Sequence, residues 1–163
     1  MIYNTRVYGI TESIFASGYP KRAEIHDWGH NEIECSLFDI KRAKRLASVP
    51  SGTGHDCFLK GIIVQADFNM THGWWMQAQR YHWFDIVSSQ SKEHNCKCLF
   101  GVDDPDEVKI GDKITARVST NYLQVKTIYA QRKNHRRPEW KEYCQWVDGL
   151  PMSEMITGGK NER

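Results

Sequence analysis

Apolar positions along the chain recur with two periods, and each period marks a kind of element. Residues 5 to 16 alternate loosely, as a strand entering a short helix does, before Gly18, Pro20 and a polar run to Asn31 break the pattern. From Glu32, the residues Ile33, Leu37, Ile40 and Ala43 recur at helical spacing while Lys41, Arg42, Lys44 and Arg45 fill the outer face, which predicts an amphipathic helix to about Ala47. A loop at Pro50, Ser51, Gly52, Thr53 and Gly54 leads into Phe58 to Phe68, whose β-branched residues and final alternation predict a central strand. Trp74 to Val87 reads as a helix with two unlike faces, its polar stripe carrying Gln77 and Arg80. Asn95 to Asp112 reads as a turn-rich connection, and Lys113 to Val118 as a short strand. A helical pair closes the chain. The first helix runs from an N-cap at Thr120 to about Lys133, with Val125, Ile128 and Tyr129 inward. The second has Pro138 in its first turn and Trp140, Tyr143, Cys144 and Val147 on its inner face. The tail beyond Pro151, with Gly158 and Gly159, is expected to fray.

This order of elements points to an α+β fold. With 163 residues, 40% of them apolar, the chain can bury one core and is read as a single domain, 1–163. No run approaches the roughly 20 apolar residues that span a bilayer, and the N-terminal segment lacks the apolar block of a secretory signal, so a cytoplasmic protein is expected. Cys35, Cys57, Cys96, Cys98 and Cys144 are an odd, scattered set and are read as reduced thiols. The formal charge of +2 is too small to hold nucleic acid nonspecifically, so an anion site has to come from local clustering, as at Arg132, Lys133, His135, Arg136 and Arg137.

The chemistry-bearing residues gather in one stretch. Gln77-Ala-Gln-Arg80-Tyr81-His82, followed by Ser88-Ser89-Gln90-Ser91, resembles the motif of the flavin-dependent thymidylate synthases (ThyX), in which Q-x-x-R-H-R precedes a Ser- and Gln/Asn-rich stretch ending S-x-R-Y. Gly54-His55-Asp56 resembles the family's upstream H-x-S-x-x-E-H segment, and Asn121 to Arg132 resembles its N-x-R…L-R helix. His135 and Trp140 echo the H-A-Q-W-E that follows. The order of these pieces from His55 to Trp146 carries the resemblance more than any one of them. Three positions depart from it: Ser91-Lys92-Glu93-His94 replaces S-x-R-Y, Leu123 stands at the arginine of N-x-R, and Lys60 and Gly61 replace the Glu-His pair. The connection from Cys96 to Lys113 is shorter than the family's.

The resemblance implies an antiparallel sheet with helices packed on it and a site for the pyrimidine deoxynucleotide dUMP. A nucleotide monophosphate needs cations and hydroxyl donors, and a charge-assisted hydrogen bond is worth roughly 1.5 to 3 kcal/mol. Arg80, Ser89, Ser91 and Lys92 suit the phosphate, Gln77 suits a pyrimidine edge because its amide both donates and accepts, and Gln90 and Arg117 are further substrate candidates. His55, His82, Asn121, Arg132 and His135 match cofactor positions, which implies FAD, with NADPH and methylene-tetrahydrofolate as co-substrates if the methyl transfer is retained. The family builds each active site from several subunits, so a homo-oligomer, a tetramer by resemblance, is expected. An alternative of another class is a non-enzymatic phage or mobile-element accessory protein that binds a nucleotide or a protein through the same surface.

Other patterns carry less. His26 and His30 flank Asp27 at helical spacing, but Gly29 and the turn-like setting argue against a helix and a metal site. Cys96-Lys97-Cys98 beside His94 is half of a zinc site without its second pair. Trp74, Trp75 and Trp83 could stack on bases, yet without a basic face they read better as core, and nucleic acid is not an expected partner. Ser51-Gly-Thr-Gly54 lacks the Lys-Ser/Thr of a P-loop.

Overall fold

The computed structural model of the chain describes residues 1–25, 27, 33–82 and 84–158. Its framework is a four-stranded antiparallel sheet in the order β1-β2-β4-β3, with β1 at Ile2–Tyr8, β2 at Ile63–Thr71, β3 at Asp85–Ser89 and β4 at Lys113–Asn121. The two central strands pair over their whole length, from Ile63 opposite Asn121 to Thr71 opposite Lys113. Because strand side chains alternate, this register puts Val64, Ala66, Phe68 and Met70 on the same face as Ala116, Val118 and Thr120, and all seven are buried. The other face carries Gln65, Asp67, Asn69, Thr115, Arg117 and Ser119, all partly exposed.

Among the described residues the helices are α1 (Ile10–Ala16), α2 (Leu37–Ala47), α3 (His72–Ala78), α4 (Lys92–Phe100), α5 (Tyr122–Arg132), α6 (Pro138–Asp148) and α7 (Glu154–Thr157). They build the core against the apolar face, except α4, which packs on the 3-10 turn at Pro105–Glu107. Phe68 is the hub of the core, its ring within 6.4 Å, centre to centre, of Trp74, Trp75, Phe84, Tyr143 and Trp146. Offset and edge-on aromatic pairs each contribute about 0.5–1.5 kcal/mol beyond the area they bury. Trp74 and Trp75 are therefore core residues, while Trp83 lies outside the described residues.

The sequence pattern places most elements and misplaces some of their ends. The strand and short helix expected over residues 5–16 are β1 and α1, and α6 begins at Pro138 with Trp140, Tyr143, Cys144 and Val147 buried, as its spacing predicts. α2 starts at Leu37 because Ser36 and Asp39 form a reciprocal capping box, which turns Asp39, Ala43 and Ala47 inward and leaves Leu37 and Phe38 exposed. Leu37 is thus not a core position, and Glu32 lies outside the described residues. The first residues of the strand expected over Phe58 to Phe68 instead belong to a 3-10 turn, Cys57–Gly61, before β2.

The helix expected over Trp74 to Val87 ends at Ala78, continues as a 3-10 turn at Gln79–Tyr81, and stops where His82 takes a left-handed conformation at φ 51°. Beyond it, Ile86 and Val87 belong to the edge strand β3. In the connection read as turns, Lys92–Phe100 is helical, capped by the Ser91 hydroxyl at its start and by left-handed Gly101 at its end. α5 is capped by Asn121, not Thr120, which is buried on the sheet. Within the tail expected to fray, Met155 and Ile156 of α7 are buried, and residues 159–163 lie outside the described residues.

Candidate functional site

The motif Gln77 to His82 lies on α3 and the 3-10 turn after it, and both ends of this segment are fixed. At the start, Thr71 caps α3 by accepting from the Trp74 N–H, and its hydroxyl donates to Glu139 Oε1 at 2.7 Å. Arg137 donates to Glu139, to the Gly73 carbonyl and to Thr71, tying the first turn of α6 to the first turn of α3. Burial pushes the Glu139 carboxyl up, but the hydrogen bonds from Thr71, from the backbone and from Arg137 outweigh it, and its pKa falls below the ordinary carboxylate value.

This junction brings Gln77, Arg80, Tyr81, Arg132 and His135 around one depression of about 400 Å³. Trp140 Nε1 donates to Gln77 Oε1 at 3.0 Å. An indole N–H can only donate, so it sets the amide with its oxygen toward Trp140 and leaves the NH₂ as what Gln77 can offer a ligand. The Arg132 guanidinium lies 4.5 Å from the Trp140 ring centre and 5.2 Å from that of Tyr81, and its Nε is buried without a hydrogen-bond acceptor. His135 Nδ1 accepts from the Arg137 N–H at 3.1 Å, which puts the proton of the neutral ring on Nε2. Arg80 is exposed at the rim. No carboxylate is among the five lining residues. The depression is rich in donors and poor in acceptors, the chemistry that suits a phosphate or a ring carbonyl oxygen.

The rest of the predicted substrate set lies on the other side of α3. Ser89, Gln90, Ser91 and Lys92 line a second depression of about 310 Å³ with His72, Trp75, Gln79 and Glu93. Gln90 is anchored there, its N–H and side-chain oxygen bonded to the backbone of Thr115. Ser91 is occupied in capping α4, its hydroxyl 2.9 Å from His94 Nδ1, and Lys92 approaches Glu93 at 3.8 Å. His82 lines an adjoining hollow that shares Trp75, Gln79 and Ile86 with it.

Three predicted residues stand apart within the chain. Arg117 is on the opposite sheet face from Ala116, and donates to the Asn4 carbonyl at 2.8 Å and to Asp67 at 3.3 Å, so it enters neither depression. The Asn121 side chain accepts from the Gln124 N–H as the cap of α5. His55 lines a separate depression with Lys21, Arg42 and Arg45. The cofactor candidates therefore do not gather into one site in a single chain. Gln79, which lines the second depression with Trp75, was not singled out as a ligand residue; its four-residue spacing from Trp75 is a signal for it. Among the described residues, no three His, Cys, Asp or Glu side chains are placed to hold a metal, and all five cysteines are free. His26 and His30 lie outside the described residues.

No protein-family model matches the sequence, and no curated protein matches it. The similarity is structural. A crystal structure of thymidylate synthase X from Helicobacter pylori with FAD and dUMP superposes with a TM-score of 0.74 at 11% identity, covering 97% of this chain and 98% of its own. A second structure of the flavin-dependent thymidylate synthase from Helicobacter pylori, complexed with FAD and dUMP, superposes with the same score and identity, covering 96% and 98%. Coverage is nearly complete in both directions. The described residues adopt, as a single α+β unit, the fold of the flavin-dependent thymidylate synthases.

Proposed function

We propose that the protein binds a pyrimidine deoxynucleotide of the dUMP kind, with the donor-rich depression of Gln77, Arg80, Arg132 and His135 as its recognition site. One observation carries this: four donor groups from two distant segments converge on a hollow that, among the described residues, no carboxylate lines. The Gln77 NH₂ donates to a ring carbonyl, Arg80 supplies charge to the phosphate, and the unanswered Arg132 Nε–H takes an acceptor of the ligand. Ser89, Ser91 and Lys92 form the second half of the recognition surface. They stand across α3, so a complete site joins them to residues of another copy, in a homo-oligomer that is tetrameric by resemblance.

The same assembly brings FAD into the proposal. His55, His82 and Arg132 lie in three separate hollows, so a flavin ring contacts all of them only where chains meet. Bound there, FAD supplies hydride chemistry, with a nicotinamide cofactor and methylene-tetrahydrofolate as the other reagents of a thymidylate-forming reaction. The residues of this chain bind and orient: Arg132 holds its guanidinium over Trp140, and His135 presents Nε2.

A second reading, binding without catalysis, draws support from specific placements. Asn121 is committed to a helix cap and Arg117 to Asp67, which leaves fewer groups for a cofactor. Titrating the purified protein with FAD and recording the visible spectrum separates the two. A saturable red shift of the flavin bands supports the enzyme; nucleotide binding with no such shift leaves the binding protein.

A further inference from the structure

A hollow of about 580 Å³ lies between β1 and the end of α6, and its lining shares no residue with the depressions beside α3. Thr5, Arg6 and Val7 all line it. Successive side chains of a strand point to opposite faces, so three residues in a row reach one hollow only along the edge of the strand. β1 is an edge strand, paired with β2 alone. Every second residue of such a strand directs its N–H and C=O outward together. Among the described residues, Thr5, Arg6 and Val7 make no backbone hydrogen bond outside the pairing with β2. One wall of the hollow is therefore a row of unanswered backbone donors and acceptors.

The opposite walls are apolar and held in place. The Trp146 indole donates to Thr5 Oγ1 at 2.9 Å, and its ring packs on Phe68 and Tyr143 at 5.2 and 5.5 Å between centres. Leu150 is buried, and the Pro151 carbonyl accepts from the Tyr122 hydroxyl at 2.7 Å, which fixes the turn after α6. Val7 and Ile10 add aliphatic surface packed on the core. A Cβ at Gly149 would meet only the carbonyl oxygens of Trp146 and Gln145 within 4 Å, so the space beside the indole is open. The one ionisable lining residue is Arg6, and its pairing opposite Gln65 puts its side chain on the polar face of the sheet.

We infer that this hollow binds a planar, uncharged heterocycle of the nucleobase kind, whose ring edge carries a hydrogen-bond donor beside an acceptor. The ring lies against Trp146 and the aliphatic walls, and its edge pairs with an outward N–H and C=O of β1. The volume falls in the range of small-molecule sites, which are mostly apolar with a few placed polar groups. An added peptide strand fits less well, because the free edge is short. Asn4, left-handed at φ 52°, sits in the register break between Tyr3 and Arg6, and Gly9, at φ 74°, turns the chain at the other end. The stretch from Thr5 to Tyr8 that remains is below the roughly five or six residues of an ordinary strand, whereas a ring needs one donor–acceptor pair. The site is separate from the one proposed for the nucleotide, so each can fail alone.

The indole N–H signals of the six tryptophans in a two-dimensional NMR spectrum report on the hollow, with Trp146 assigned by its disappearance in Trp146→Phe. Adding adenine is expected to shift the Trp146 signal saturably, and the shift should persist in Arg80→Ala. Gly149→Leu places a side chain in the open space and should weaken the apparent affinity at least about tenfold. Gln145→Trp, at an exposed position of the same wall, serves if Gly149→Leu does not fold. An unmoved Trp146 signal, a shift lost in Arg80→Ala, or undiminished affinity in a folded variant with the hollow filled overturns the assignment.

Discussion

The Arg132 guanidinium carbon lies over the Trp140 ring, 4.5 Å from its centre, and Trp140 gives its single N–H to Gln77 at 3.0 Å. One buried indole therefore fixes two donors of the proposed nucleotide site, one through its π face and one through its edge. Trp140→Phe keeps an aromatic ring while removing the N–H and freeing the Gln77 amide to rotate. Urea unfolding should show a loss of about 1–2 kcal/mol from the hydrogen bond and reduced packing, and dUMP should bind more weakly although Trp140 need not touch it. Unchanged affinity in the folded variant would remove Trp140 from the positioning of the site.

Lys126 and Asp56 form a largely buried ion pair, with side-chain exposures of 13% and 2%. Removing one partner leaves an uncompensated charge, and removing Lys126 also leaves unanswered the Ala47 and Val49 carbonyls that it bonds. Lys126→Met is expected to cost about 3–5 kcal/mol in urea unfolding, and adding Asp56→Asn should recover part of that loss. Equal stability of the single and double variants would show that the pair is not coupled.

How much of this was legible beforehand depends on the element. The central strand and α6 follow from side-chain periodicity, because the register of β2 with β4 and the inner face of α6 both bury a regular apolar set. The end of α3 was not legible: residues 74–87 include good helix formers, and the stop comes from the backbone of His82 in a left-handed turn, which leaves no mark on periodicity. Leu37 was misleading for a related reason, since the Ser36–Asp39 box sets the rotation of α2 before its apolar residues can. Within the site, motif order singled out Gln77 and Arg80 for the nucleotide and Arg132 and His135 for the cofactor, and that the four line one depression was not legible. The division between the two sides of α3 was not either, because nothing in linear spacing says on which side of a three-residue 3-10 turn a side chain emerges.

Asp39 gives the fold a definite acid response. Its carboxyl is lowered from an ordinary 3.8 to about 2 by the Ser36 hydroxyl and Arg42, so the native state favours the ionised form. A lowered native pKa contributes stability that is fully present above the unfolded value and is lost as pH falls toward the folded one. Asp39→Ala should therefore be less stable than the parent by about 2 kcal/mol at neutral pH, with the gap closing between about pH 4 and pH 2. A gap independent of pH over that window would assign the loss to packing alone.

Light scattering coupled to size exclusion tests the assembly that the divided site requires. A multimer, tetrameric by resemblance, is expected. A stable monomer that still binds FAD would show that the flavin residues of one chain suffice.

The nucleotide site itself is tested most directly by calorimetric titration of the parent protein and Arg80→Ala with dUMP. Arg80 is exposed at the rim and far from the core contacts of Phe68, so the variant should fold normally. Saturable binding by the parent, weakened by roughly tenfold or more in Arg80→Ala, is the expected result, since one charge-assisted contact is worth about 1.5–3 kcal/mol. No saturable heat with the parent, or the same affinity in both proteins, would contradict the site.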